Sequence, residues 1–160
     1  MDTARTLRRW VLPLAVMATT LTPGTGEAKS TPLRAVEVPK ANFRTAPSLK
    51  ADVLFTATRY FPVEILETKG EWVRIRDFEK EESWVAKRLL GDVHTVAIEV
   101  EKGNVRGGPS TQDEVVDRVE YGEVFRVVER KGRWLKIATP EETVGWVRDD
   151  LTWGEKPFLK

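Results

Sequence analysis

Residues 42–48 read Asn-Phe-Arg-Thr-Ala-Pro-Ser, and residues 104–110 read Asn-Val-Arg-Gly-Gly-Pro-Ser. The two stretches begin 62 positions apart (42 and 104), and the same offset relates a Lys-Gly-x-Trp motif ending at Trp72 to one ending at Trp134. A fixed period kept across Gly, Pro and Trp positions indicates duplication of one supersecondary unit. The chain of 160 residues is therefore predicted to contain two copies of one small domain.

Alternating polar and apolar residues on both sides of the Lys-Gly pair predict a β-hairpin in each copy. In the first copy the two faces separate cleanly if residues 68–70 form a three-residue loop. That register pairs Val63 with Ile75, Ile65 with Val73, and Leu66 with Trp72. In such a loop Gly70, and Gly132 in the second copy, are predicted to adopt left-handed backbone geometry.

The strand after this hairpin is predicted to place Val85 opposite Val73 and Trp84 opposite Arg74, if residues 77–81 form the intervening loop. In the second copy Lys136 and Trp146 would repeat the cation–aromatic pair. The tryptophans then lie on the side away from the aliphatic core. They either cover the open end of a small barrel or line a ligand groove, since rigid aromatic rings favour binding surfaces.

The repeated Asn-x-Arg motif allows two interpretations. Arg44 and Arg106 could clamp a ligand carboxylate with two parallel hydrogen bonds. Alternatively, they pair with carboxylates on a neighbouring strand while the Asn caps a turn. The candidate binding residues from both arguments are Trp72, Trp84, Tyr60, Arg44, Trp134, Trp146 and Arg106.

The amino-terminal residues have the pattern of a secretory signal. Arg5, Arg8 and Arg9 precede an apolar run over residues 10–21, and small residues follow up to Ala28. This order predicts a signal peptide over residues 1–28 with cleavage after Ala28; an uncleaved amphipathic anchor is the alternative. The mature product is then expected in the periplasm or outside the cell, without a stable membrane anchor.

Charge argues against nucleic acid as a partner. Residues 1–28 contain three of the 26 basic and two of the 25 acidic residues, which leaves 23 of each in the mature chain. A balanced surface lacks the excess of cations that phosphate neutralisation requires.

The second copy resembles the bacterial SH3-like domain (Src-homology-3, SH3b type). The resemblance rests on the motif at residues 103–110, a Gly-x-Trp-x-Lys-Ile motif at 132–137 and a Gly-Trp-Val motif at 145–147. The first copy is similar but has Tyr60 and Ser83 at the two positions where the second copy has glycine. The resemblance implies an all-β chain of two tandem small SH3-like barrels of about five strands each, preceded by a helical or disordered signal segment. The expected order is a signal peptide at 1–28, a linker at 29–35, domain 1 at 36–90, a linker at 91–96, domain 2 at 97–154 and a tail at 155–160.

Catalysis is not expected. The chain has no cysteine and one histidine, His94, which lies in the predicted linker. A Cys-His dyad is therefore impossible, and a Ser-His-Asp triad would have to form around a loop residue. No metal site and no cofactor are predicted.

Some bacterial SH3-like domains bind peptidoglycan peptides, so the resemblance implies an exported, non-catalytic binding module for peptidoglycan or envelope peptides. The alternative is a structural adaptor that holds another envelope protein.

Overall fold

The structure is a computed structural model that describes residues 31–154, and it consists of two β-sheet units connected by residues 92–94. The predicted signal peptide, its cleavage site and the tail at 155–160 lie outside the described residues. Among residues 31–154, no helix has the length and apolar character needed to cross a membrane.

The first unit contains seven strands and one short 3-10 turn, Lys87–Leu89, between the last two strands. The strands are β1 (Leu33–Val36), β2 (Lys40–Arg44), β3 (Val53–Thr58), β4 (Pro62–Lys69), β5 (Trp72–Arg76), β6 (Glu82–Ala86) and β7 (Leu90–Gly91).

The second unit repeats this arrangement, with a 3-10 turn at Asp149–Leu151. Its strands are β8 (Thr95–Ile98), β9 (Lys102–Arg106), β10 (Val115–Glu120), β11 (Val124–Lys131), β12 (Trp134–Ala138), β13 (Thr143–Arg148) and β14 (Thr152–Trp153).

Each unit forms one antiparallel sheet, with the orders β3-β2-β6-β5-β4-β1-β7 and β10-β9-β13-β12-β11-β8-β14. The all-β prediction is confirmed, but each sheet has seven strands instead of about five. In the first unit the additional strands are β1 and the two-residue β7. Strand β1 begins before the predicted domain boundary because Ala35 and Val36 are fully buried and belong to the sheet.

Each sheet curls around its own apolar core. Val36 on β1 and Ala57 on β3 belong to one buried cluster, although four strands lie between β1 and β3 in the sheet. A flat sheet would separate these two strands by about 24 Å, so the sheet must bend strongly to bring them together. The second unit has a separate cluster that includes Val105 and Ile137.

Strand β5 shows how the alternating sequence produces this core. Val73 and Ile75 are at most 3% exposed, whereas Trp72, Arg74 and Arg76 point to the outer side and are half-buried. The predicted partners across β5 and β6 are confirmed: Val73 lies opposite Val85, and Arg74 lies opposite Trp84. In the second unit Lys136 lies opposite Trp146.

The predicted register of the first hairpin is wrong. Lys69 lies opposite Trp72, so the turn contains only two residues, Gly70 and Glu71. Ile65 pairs with Ile75 instead of Val73, and Trp72 does not lie opposite Leu66.

A β-bulge explains the difference. The register of β4 against β5 shifts between Ile65 and Glu67, which leaves Leu66 as the extra residue. In the second unit the same shift leaves Val128 unpaired, with 41% of its surface exposed. One extra residue restores the separation of the two faces that an unbroken two-residue period would have lost.

The predicted left-handed glycines are confirmed within this shorter turn. The φ angles of Gly70 and Gly132 are +59° and +56°. Glycine at the first central position of a two-residue hairpin turn accommodates a positive φ without a Cβ clash.

The two units contact each other through the loop at residues 77–81. The rings of Phe78 and Tyr121 meet edge to face, with centroids 5.8 Å apart, and the Tyr121 hydroxyl donates a hydrogen bond to Glu79 Oε1 at 3.2 Å. The Lys80 ammonium lies 5.3 Å from the ring centre of Trp153. Phe78 also contacts Phe61 of its own unit, so aromatic contacts run from the first core to the second unit.

The buried carboxylate of Asp77 shapes this loop. Asp77 is 3% exposed, and its Oδ1 accepts hydrogen bonds from the backbone amides of Glu79 and Glu81, both at 3.0 Å. Burial raises the pKa of Asp77 above its usual value, although the two amide hydrogen bonds act in the opposite direction.

Replacing Gly70 with alanine is expected to destabilise the protein by about 1 kcal/mol, because a Cβ is forced into left-handed geometry. Apart from residues 69–71, no heavy atom of the described residues lies within 4 Å of the added Cβ, so the loss arises from the backbone conformation and not from a clash. Gly132→Ala should behave in the same way, and Gly70→Asn should lose less because Asn tolerates this conformation. Chemical denaturation measures all three variants. An alanine variant as stable as the wild type would contradict the left-handed turn.

The free energy of unfolding of the Asp77→Asn variant, relative to that of the wild type, is expected to increase as the pH rises. In the wild type the unfolded chain ionises near the ordinary Asp pKa of 3.8 and the folded chain only at higher pH, so stability falls as the pH rises through the folded-state pKa. Asparagine keeps the Oδ1 acceptor and removes the buried charge. Urea denaturation at pH 3 and pH 7 measures the difference between the two proteins. A difference that is the same at both pH values would show that Asp77 does not carry this penalty.

Candidate functional site

A groove of about 530 Å³ opens on the outer side of the first unit. The alternation of β2 creates one wall, because Ala41 and Phe43 enter the core while Lys40, Asn42 and Arg44 face outward. The other lining residues are Leu49, Thr56 on β3, Trp72 at the start of β5, Ala86 at the end of β6, and Arg88 and Leu89 of the 3-10 turn. We call this surface the first-unit groove.

Three cations line the first-unit groove: Lys40, Arg44 and Arg88. Among the residues that the structure describes, no carboxylate lines it. Neither Lys40 nor Arg88 forms an ion pair with another residue of the range 31–154, and both side chains are exposed. The groove therefore presents uncompensated positive charge.

Arg44 is held in place by the loop that follows β2. Its Nη1 donates a hydrogen bond of 2.7 Å to the backbone carbonyl of Ala51, and the amide of Thr45 bonds to the carbonyl of Asp52 across the base of that loop. In the second unit Arg106 Nη1 donates to the carbonyl of Asp113, also at 2.7 Å.

The predicted pairing of these arginines with carboxylates is therefore wrong, because backbone carbonyls seven residues downstream are their partners. The predicted turn cap is also wrong for Asn42, whose Oδ1 accepts a hydrogen bond of 2.9 Å from the Thr56 hydroxyl on β3. This contact joins β2 to β3 and keeps the polar floor of the groove in place.

Apolar side chains border the cations. Leu49 is 74% exposed at the rim, and Trp72 and Leu89 are half-buried in the lining. Ala86 leaves space between them because its side chain is a single methyl group. The groove thus combines an apolar surface with a cationic one.

In the second unit, an arginine side chain occupies the position at which Ala86 leaves space in the first-unit groove. Arg148 replaces Ala86, and Asp150 replaces Arg88. Arg148 Nε and Nη2 donate to the two carboxylate oxygens of Asp150 at 3.0 and 2.7 Å. A depression beside Trp134 remains, but it is lined by residues 109–111, 131–134 and Arg148 and does not include Arg106.

The seven predicted binding residues do not form one site. The structure places Trp72 and Arg44 together in the first-unit groove. Trp84 lies on β6 opposite Arg74 and Arg44 and is not part of the lining. Tyr60, with a φ of +74°, lines a separate depression together with residues 139–141 of the second unit.

In the second unit Trp146 is only 5% exposed. The ammonium groups of Lys131 and Lys136 lie 5.3 and 5.8 Å from its ring centre, so Trp146 shields basic side chains instead of lining a groove. Trp134 lines the depression described above, and Arg106 is bonded to its own loop.

Sequence reasoning missed Lys40, Leu49 and Arg88. The outward face of β2 could have indicated Lys40. The exchange of Arg88 for Asp150 between the two copies could have indicated Arg88, because it reverses a charge at equivalent positions.

Within residues 31–154, no cluster of three His, Asp or Glu side chains could hold a metal ion. His94 is exposed in the connection between the two units.

Arg44→Ala is expected to destabilise the protein by about 1 kcal/mol, because the carbonyl of Ala51 loses its donor. Amide hydrogen exchange should accelerate at residues 45–52 and stay unchanged at residues 107–114. Arg106→Ala provides the matched control, since it should show the opposite pattern. Equal exchange across both loops in both variants would contradict this role of the two arginines.

Comparisons with known proteins agree with the duplicated architecture. The family described as "Bacterial SH3 domain" matches residues 39–91 and again residues 101–152. A protein of Bacillus subtilis (strain 168) named as an N-acetylmuramoyl-L-alanine amidase, YrvJ, is 27% identical over 120 residues. That match covers 68% of this chain but only 23% of the amidase.

Solved structures show weaker likeness. NlpC1 from Trichomonas vaginalis has a TM-score of 0.37 and 15% identity, covering 87% of this chain and 51% of that protein. An NlpC/P60 family protein from Bacillus cereus has a TM-score of 0.37 and 13% identity, covering 76% and 56% of the two chains. The structure titled "Endolysin LysPBC5 CBD" has a TM-score of 0.31 and 15% identity, covering 79% and 95%. Because the family match spans more than half of the chain and occurs once in each unit, the protein belongs to the bacterial SH3 domain family, with two domains in tandem.

Proposed function

We propose that this protein is a non-catalytic module that binds peptidoglycan of the cell envelope through the first-unit groove. The observation that carries the proposal is the open groove itself, in which a tryptophan and other apolar side chains lie beside cations that have no ion-pair partner within residues 31–154. Aromatic surface and fixed cationic donors together suit a peptide that carries free carboxylates.

The relative in Bacillus subtilis supports this ligand class. An N-acetylmuramoyl-L-alanine amidase, by its name, acts on the bond between muramic acid and the stem peptide. The matched part is about a quarter of that protein, so the likeness concerns the SH3-like region and transfers no catalytic activity. An envelope ligand also fits the export predicted from residues 1–28, which would place the mature protein in the periplasm or outside the cell.

An adaptor that holds another envelope protein is the second candidate. Strand β3 is an edge of its sheet and exposes Val53 and Leu54, which are 45% and 54% accessible. Edge strands with apolar side chains and no charge can pair with a strand from a partner. Sedimentation with purified sacculi separates the adaptor from the peptidoglycan-binding module, because only the latter should sediment.

The wild-type mature chain is expected to sediment with purified peptidoglycan sacculi. Lys40→Glu should reduce the sedimented fraction, because it introduces negative charge into the first-unit groove. Lys102→Glu is the matched control: it makes the same charge change at the equivalent position of the second unit, and it should leave sedimentation unchanged. Both side chains are exposed, so both variants should remain folded.

Wild-type protein that stays in the supernatant would contradict peptidoglycan binding and favour the adaptor. Equal loss of sedimentation in both variants would contradict binding through the first-unit groove, because it would show that general charge attraction causes the sedimentation.

A further inference from the structure

The first-unit groove has donors prepared for one anionic group. Arg44 is already oriented by its bond to the carbonyl of Ala51, and that bond uses only Nη1 of the guanidinium. The remaining N–H groups of Arg44 donate to no other atom within residues 31–154. An arginine fixed in this way can bind a carboxylate at a smaller cost in side-chain entropy, because its side chain is already ordered.

Lys40 adds charge from the start of β2, the strand that also carries Arg44, and Arg88 adds charge from the 3-10 turn Lys87–Leu89. No carboxylate within the described residues offsets these three cations in the lining. Their combined positive potential therefore favours a bound anion.

The apolar part of the groove restricts what carries that anion. Leu49, Trp72 and Leu89 border the cations, and Ala86 leaves room for a small side chain. A phosphate polymer would need an extended cationic surface, whereas the mature chain has balanced charge and the lining holds apolar groups next to the cations. A peptide end supplies both a carboxylate and an adjacent small apolar side chain.

We infer that the first-unit groove binds the C-terminal carboxylate of a peptide whose last side chain is small and apolar, and that the second unit does not. This inference rests on the peptidoglycan binding proposed above and specifies which chemical group is recognised. The second unit lacks the site because Arg148 occupies the position of Ala86 and is itself neutralised by Asp150. Its Arg118 and Thr111 also replace Thr56 and Leu49 of the first unit.

The test uses the mature chain and a synthetic tripeptide, acetyl-Lys-D-Ala-D-Ala, titrated by isothermal calorimetry. The free acid is expected to bind with one site per chain. The C-terminal amide of the same tripeptide should bind roughly 10- to 100-fold more weakly, because it cannot form the charge-assisted hydrogen bonds. Inorganic phosphate, added as a competitor, should displace the tripeptide only weakly.

The matched variants exchange the features of the two units. Ala86→Arg combined with Arg88→Asp copies the ion pair of the second unit into the first, and tripeptide binding should be lost. Combining Thr111→Leu, Arg118→Thr, Arg148→Ala and Asp150→Arg should open the second unit and raise the stoichiometry from one site to two. Circular dichroism and thermal unfolding establish that both variants are folded.

Equal affinity for the acid and the amide would overturn the inference, as would unchanged binding by the folded variant with the closed groove. Displacement of the tripeptide by phosphate at equal concentration would also overturn it, in favour of a phosphate ligand. If the wild type sediments with sacculi but does not bind the tripeptide, carboxylate recognition fails while the proposed function stands. If neither occurs, both fail.

Discussion

In each seven-stranded sheet, a single cross-strand pair joins two strands at one end to the other five. Arg44 on β2 lies opposite Trp84 on β6, and Arg106 on β9 lies opposite Trp146 on β13. Each of these pairs connects the two strands at one end of the sheet to the central strands. The sheet therefore depends on this pair where it curls around the core. The same arginine also bonds to the loop that follows its strand. The arginine at this position therefore connects its strand to the following loop in both copies, which gives a structural reason for the recurrence of the arginine.

The sequence predicted those features that depend on period and on local chemistry. The offset of 62 positions predicted two equivalent units, and the alternation in β5 predicted the partners Val85 and Trp84. It did not predict the register of the hairpins, because Leu66 and Val128 are apolar like the residue before each of them, and nothing in their chemistry marks a bulge. The partner of Arg44 was also missed: it is a main-chain carbonyl whose position depends on the path of the loop, and side-chain pattern does not record that path.

Divergence between the two copies shows where their roles differ. The loop that docks the units contains Phe78, whereas the second copy has Pro140 at that position and contacts no further unit within the described residues. In the opposite direction, the second copy contributes Tyr121 and Trp153 to the interface, where the first copy has Arg59 and Gly91. Contact between the units therefore uses different residues from each, although the cores keep the same plan.

The ion pair between Arg148 and Asp150 limits how many ligands the proposed binding surface would hold in one chain. Two open grooves on one chain would let a molecule bridge two neighbouring polymer chains, and the effective concentration of the second site would increase avidity. If the first-unit groove binds its ligand as proposed, one closed groove makes the protein monovalent for that ligand. Such a protein would coat a polymeric matrix without cross-linking it by this route.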